Sequence, residues 1–360
     1  MLNSIKSKFI LRIITEKLQI KLRLKIFKYN KTLSNKLNID LQDYKNYAIL
    51  KELNQKLFKK IKDIDITEIH LILEDFDNEK LQYLKQIEFK WLKELNLSHN
   101  KISDIKILEE FKYKNLEKLK LFSNEIKEID SLEKINFNLL KELDLRQNYI
   151  SSLDILPKVH FEKLEILKLG ENKISNIDIL EKVTFKELKE LDLSENHISD
   201  INILEKVSFE KLTKLNLRSN YISNIDILEK VNFKELKELE LNMNQIKDIN
   251  ILDKTHFEKL ESLNLNNNQI SDIDVFKNVS FVELKKLSLS QNSIKDIDIN
   301  EKWNFPKLKF LYLYYNPISK INVSDEIKFN DVPKLYLFTY VKNITDNNKK
   351  FEIVYYDYQI

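Results

Sequence analysis

Arginine appears only four times in 360 residues, against 56 lysines, and two of the four, Arg146 and Arg218, are each followed three residues later by a tyrosine, Tyr149 and Tyr221. A planar guanidinium makes paired contacts that a compact ammonium does not. Arginine and tyrosine are also the side chains that most often anchor protein interfaces. Phe122 and Met243 are apolar outliers in polar surroundings, and Phe310, Tyr312, Tyr314 and Tyr315 form an aromatic run. The chemistry these residues suggest is recognition of another protein. No catalysis is implied.

Reactive groups are scarce. The chain has no cysteine, so thiolate nucleophiles, disulfides and cysteine metal sites are excluded. Gly170 is the only glycine, which rules out phosphate-cradling and dinucleotide-binding loops that need several residues without a Cβ. His70, His99, His160, His197 and His256 show no metal-ligand spacing. Carboxylates such as Asp144 and Asp192 recur without any group to tune them. Neither a metal nor a cofactor is expected.

What must position the Arg/Tyr set is a repeat. The pattern L-x-x-L-x-L-x-x-N-x-I begins at Leu92 and returns every 24 residues, ten times without insertion, up to Leu308. Its asparagines are Asn100, Asn124, Asn148, Asn172, Asn196, Asn220, Asn244, Asn268, Asn292 and Asn316, and a parallel series of aromatics runs from Phe89 through Tyr113 and Phe137 to Phe329. Alternation in segments such as Leu167-Lys-Leu169 predicts short strands with leucines facing inward. Each asparagine then sits where the chain leaves its strand, with its amide available to satisfy backbone groups of adjacent coils. The spelling Asp178-Ile-Leu-Glu181, with relatives such as Asp226/Glu229, Asn250/Asp253 and Asn322/Asp325, predicts a helical turn opened by a capping box. The aromatic closes the back of each coil.

These residues resemble the leucine-rich repeat family over Leu92 to about Ile321. The resemblance implies an α/β solenoid, a horseshoe with a concave parallel β-sheet and short convex helices. It also implies that the concave face binds another protein. Positions 3, 5, 7 and 8 of the repeats, counting the first leucine as position 1, lie on that face. They carry seven cations and nine carboxylates, whereas nucleic acid calls for a basic stripe. Strand spacing places Arg146 and Arg218 about 14–15 Å apart. We expect the partner to touch Phe122, Arg146, Tyr149, Arg218, Tyr221, Met243, Tyr312 and Tyr314, and substitution of Asp192 or of either arginine to leave the fold intact.

The ends differ from the array. Ile66, Ile69 and Leu71 read as a degenerate capping repeat over 63–91 with Glu74 in the asparagine place; the repeats fill 92–331. The aromatic tail from Phe351 reads as a strand in a C-terminal cap, 332–360. Residues 1–62 carry 16 cations and four carboxylates and are spaced as two to four helices. Their stretch from Phe9 through Leu24 and Phe27 to Leu37 is similar to an F-box, which implies the alternative of a substrate receptor for a cullin-type ubiquitin ligase. Arg12 breaks the first apolar stretch, no cleavage site follows, and no apolar run is long enough for a membrane span. A monomeric cytoplasmic protein is expected.

Overall fold

In the computed structural model the described residues are 70–72, 77–85, 92–338, 341 and 343–356; the stretch similar to an F-box lies outside them. The chain divides into two units, Met1–Tyr149 with Lys158–Leu164, and Ile150–Pro157 with Glu165–Ile360. Both are built on one plan, a parallel strand per repeat followed by a return on the other side.

The first unit holds β1 (His70–Ile72), β2 (Glu94–Asn96), β3 (Lys118–Lys120) and β4 (Glu142–Asp144). Each pairs in parallel with the next. His70 pairs with Glu94, so β1 joins at the ordinary 24-residue step. The longer step expected at this end is therefore corrected; Glu74 itself lies outside the described residues. The return segments are α1 (Asn78–Leu84) and the 3-10 turns Lys106–Glu110 and Asp130–Lys134.

The second unit continues with β5 (Ile166–Lys168), β6 (Glu190–Asp192), β7 (Lys214–Asn216), β8 (Glu238–Glu240), β9 (Ser262–Asn264) and β10 (Lys286–Ser288). Then β11 (Asp296–Ile299) alternates sides with β12 (Phe310–Tyr312), β13 (Lys320–Val323), β14 (Lys334–Phe338), β15 (Asn343–Thr345) and β16 (Glu352–Tyr356). Strands β5 to β10, β12, β14 and β16 form one parallel sheet, while β11, β13 and β15 form a second.

The spacing of the leucines explains both sheets. Positions 4 and 6 alternate inward across a strand, and positions 1, 11 and 14 fill the coil behind it. Leu188, Leu191, Leu193, Ile198 and Ile201 are all buried, and so is the aromatic closing each back, from Tyr113 to Phe305. Burying one such side chain contributes about 1.5–3 kcal/mol. Rings of successive coils stack where Tyr113 meets Phe137, centroids 6.5 Å apart, and where Phe281 meets Phe305 at 6.4 Å.

The asparagine amides tie coil to coil. Asn220 donates from Nδ2 to the carbonyl of Leu217 in its own coil (3.1 Å) and of Leu193 in the preceding one (3.0 Å), while its Oδ1 accepts the N–H of Ile198 (2.9 Å). Asn124, Asn244, Asn268 and Asn292 repeat that three-way bond within a unit. Every donor and acceptor satisfied here belongs to a buried backbone that has left the ladder of the sheet.

The residue just before each asparagine is left-handed. His99, Ser123, Gln147, Glu171, Glu195, Ser219, Met243, Asn267, Gln291 and Tyr315 have φ between 52° and 59°. Glycine takes this conformation most readily, yet none of the ten is glycine. The turn is imposed by the strand before it and the amide after it. Gly170 serves a different need: a Cβ there would lie 2.7 Å from Ser194 Oγ.

Return segments follow a simpler rule than a capping box. Asp178 is the first residue of the 3-10 turn Asp178–Lys182, whose cap is Ile177 with no side-chain bond. The acceptor lies two residues earlier, where Asn176 Oδ1 takes the N–H of Asp178 at 2.8 Å, and Asp200, Asn224, Asp248 and Asp272 repeat this. Such local turns suit Asn and Asp. Asn322 opens no turn, because it lies in β13. In Asp296-Ile-Asp-Ile299 and Lys320-Ile-Asn-Val323 the buried residues alternate and are all β-branched, which favours strand over turn.

Two outcomes follow. Asn220→Ala strands the N–H of Ile198, while the carbonyls of Leu193 and Leu217 keep the amides of Asn196 and Asn244, so urea unfolding should show a loss of about 1–3 kcal/mol, against under about 0.5 kcal/mol for Gln245→Ala at an exposed position. Equal losses would contradict the amide's role. At Gln291, glycine should preserve stability or improve it, whereas valine should cost about 1–2 kcal/mol, since a β-branched residue resists positive φ. Equal midpoints for the two variants would show that the left-handed turn carries no strain.

Candidate functional site

Odd positions of each strand point away from the leucine core, so positions 3, 5 and 7 of successive repeats tile one face. In the first unit that face gathers Phe122, Arg146 and Asp144. Asp144 is buried (4% exposed), and Arg146 forks onto it with Nε–Oδ1 at 2.9 Å and Nη2–Oδ2 at 2.7 Å. The guanidinium also lies 5.2 Å from the Phe122 ring centre, and His99 meets the same ring edge-on at 4.9 Å. The forked geometry is thus used inside the protein. Removing Arg146 takes two guanidinium hydrogen bonds from a buried carboxylate, so this arginine is tied into the fold and is not the free surface residue expected. Tyr149 stands at 45% exposure.

The second unit presents Arg218, Tyr221, Met243, Tyr312 and Tyr314. Arg218 Nη1 lies 3.2 Å from Glu195, with both side chains over 40% exposed, so the pair contributes little to stability. Tyr221 is half exposed and lies against His197 at 5.8 Å. Ser219 Oγ donates to Met243 Sδ at 3.2 Å. Asp192 is not the surface residue its position suggested. It is 7% exposed and accepts from the N–H (3.0 Å) and hydroxyl (2.7 Å) of Ser194, in the space that Gly170 leaves open.

Further along, Tyr312 stacks on Tyr336 with ring centres 4.4 Å apart, is flanked by Phe310 at 6.3 Å, and meets Tyr314 edge-on at 6.2 Å. Burial, and then its tyrosine neighbours, raise the Tyr312 pKa above its ordinary value, so the phenol stays neutral. The ammonium of Lys286 sits 5.7 Å from the Tyr312 ring centre. Beneath this shelf Ser288 and Ser290 are almost fully buried. Tyr336 was missed by reading the segment as a cap, though it falls one repeat step after Tyr312.

Ion pairs run along the coils at the same 24-residue step. Glu117 lies between Lys93 (2.9 Å) and Lys141 (2.8 Å), whose hydrogen bonds hold its pKa below the usual carboxylate range. Glu187–Lys211, Glu235–Lys259 and Glu283–Lys307 repeat the pairing at 2.6 Å. Alternating Lys and Glu at fixed phase was the signal for these ladders. They favour correct stacking of neighbours. Among the described residues no cluster of His, Asp or Glu is arranged to hold a metal ion, and no helix is long and apolar enough to cross a membrane.

Comparison with known proteins agrees with this geometry. The family profile described as Leucine rich repeat matches residues 258–318, and that described as Leucine Rich repeats (2 copies) matches 90–134, 186–230 and 234–278. No curated protein matches the sequence. Among solved structures, an internalin (inlF) from Listeria monocytogenes is 23% identical, with 85% of this chain and 94% of that one covered and a TM-score of 0.56. An LRR protein of Leptospira interrogans is 21% identical, with 79% and 81% covered and a TM-score of 0.56. At such identities these structures speak to the fold alone. The repeat spelling and strand register run from 92 to about 321, and the profiles match 90–134, 186–230 and 234–318 along it: the chain is a leucine-rich repeat protein.

Proposed function

We propose that the protein is a non-catalytic scaffold that binds a partner protein on the face formed by its strands and the turns that leave them. Leucine-rich repeat proteins generally act through protein–protein contacts, and one observation carries the reading here. Of the seven exposed large apolar side chains among the described residues, four (Tyr149, Tyr221, Met243 and Tyr315) fall at the turn leaving a strand. Rigid backbone with exposed aromatic and sulfur side chains suits interface anchoring. Mixed charge on the same face favours a protein over nucleic acid. The absence of cysteine supports placement in the cytoplasm.

Affinity purification with the full chain tests this. The variant Tyr221→Ser/Met243→Ser/Tyr312→Ser should lose partners that wild type recovers, while Lys230→Ser/Lys254→Ser on the return segments should keep them. Retention by the strand-face variant would overturn the reading. The two arginines should separate. Arg218→Ala should weaken binding to the recovered partner by about 2 kcal/mol if it anchors the interface and leave the melting temperature unchanged. Arg146→Ala should lower stability by about 1–2 kcal/mol through Asp144. Titration calorimetry and thermal melts read the two effects independently.

A further inference from the structure

Strand β16, the last of the main sheet, pairs with β14 over five residues, from Lys334 with Glu352 to Phe338 with Tyr356, where β9 and β10 pair over three. It is firmly seated. Asp346 accepts the N–H groups of Lys350 (2.7 Å) and Phe351 (2.9 Å), and the buried Phe351 meets Phe329 edge-on at 5.0 Å. Along the array the amides at position 6 point to the following strand, as Leu97 N–H does to Lys120 and Leu313 N–H to Tyr336. Tyr355 holds that position in β16, and Ile353, two residues earlier, shares its direction. Among the described residues no strand follows β16, so both backbones face outward without a partner in the sheet. Their side chains are uncovered too. Leu335 and Leu337, beside them on β14, have no exposed surface, whereas Ile353 is half-buried and Tyr355 is 48% exposed. The strand Glu-Ile-Val-Tyr-Tyr carries no lysine or proline, the residues that ordinarily guard an edge.

We propose that a second copy of this chain occupies the edge, β16 against β16, antiparallel about a twofold axis through Val354, in place of the monomer expected from the sequence. The strand itself commits the occupant. Only the register centred on Val354 overlaps all five residues, and it sets Ile353 opposite Tyr355 of the second copy, twice over. Both residues direct their backbone groups outward, so each pair exchanges two hydrogen bonds, as an antiparallel ladder requires of alternate residues. Val354, whose groups face β14, then lies opposite itself in the closer, non-hydrogen-bonded position. The axis keeps the inward sides of both sheets together, so isoleucine and tyrosine cover each other where the core is open. Aromatic with β-branched is a favoured cross-strand pair. Glu352 is already offset by Lys334 at 3.5 Å and falls opposite Tyr356 of the second copy, so no like charges meet. A self-complementary contact of this kind closes at two copies. The strand faces stay open in both copies, so the inference stands apart from partner binding there.

Sedimentation equilibrium of the full chain, from micromolar to millimolar concentration, provides the first test. The mass should rise to that of two chains in wild type and stay at one in Tyr355→Lys, with the circular dichroism spectrum unchanged. The chain has no cysteine, which permits a second test that reads the register. Val354→Cys should form a disulfide-linked dimer under mild oxidation, because facing Cα atoms at that position lie about 4.5 Å apart, within disulfide reach. Glu352→Cys should not, since four residue steps, about 14 Å, separate it from its own copy. The mass of one chain at every concentration would overturn the proposal, whether the edge stays bare or takes a strand of another protein. A dimer that persists in Tyr355→Lys would overturn it as well. So would equal cross-linking of the two cysteine variants, or none in either, because the copies would then meet in another register or on another surface.

Discussion

Each coil leaves its strand through a left-handed turn, and at that point the backbone loses its partners in the sheet. The asparagine amide restores them. With two donors directed to carbonyls of successive coils and one acceptor for the N–H behind, a single side chain closes its own turn and fastens the preceding one. Serine or aspartate cannot replace it, because neither supplies two donors and an acceptor in one plane. The strands can be three residues long because they need not hold the coils together alone.

That division of labour leaves the strand face free of structural duty at most positions. Leucines secure the inside, asparagines the turn, Lys/Glu ladders the flank. Positions 3, 5 and 7 are then available for recognition, with exceptions where the fold reclaims them. Asp144 with Arg146 and Asp192 with Ser194 are two such places, where a face residue is drawn down and hydrogen-bonded. Glu142 is a third buried carboxylate, with the ammonium of Lys118 at 3.2 Å.

Much of this was legible in the sequence because the repeat writes it ten times. Strand phase, the inward leucines and the aromatic back follow from spacing alone. What escaped was set by side-chain directions and turn types that spacing does not show. Asp178 looked like a helix cap because Glu181 follows it, but the true acceptor, Asn176, is visible only once the 3-10 turn is known. Arg146 looked free because nothing in the linear sequence shows Asp144 turned towards it. Tyr336 looked like part of a cap because the asparagine of its repeat is missing. Position 8 gave no composition signal, since ten different contexts accept the left-handed turn without glycine.

Native-state hydrogen exchange on the full chain, wild type and Asn244→Ala, tests the central claim most directly. The N–H of Ile222 is bonded to Asn244 Oδ1 at 3.0 Å, whereas that of Ile198 is bonded to Asn220. If the amide is what fastens one coil to the next, Ile222 should exchange among the slowest amides in wild type and accelerate by at least about a hundredfold in the variant, the equivalent of about 2.7 kcal/mol. Ile198 should be affected less. Unchanged exchange at Ile222, with the rest of the array equally protected, would show that leucine packing alone holds the coils and that the asparagine ladder is incidental.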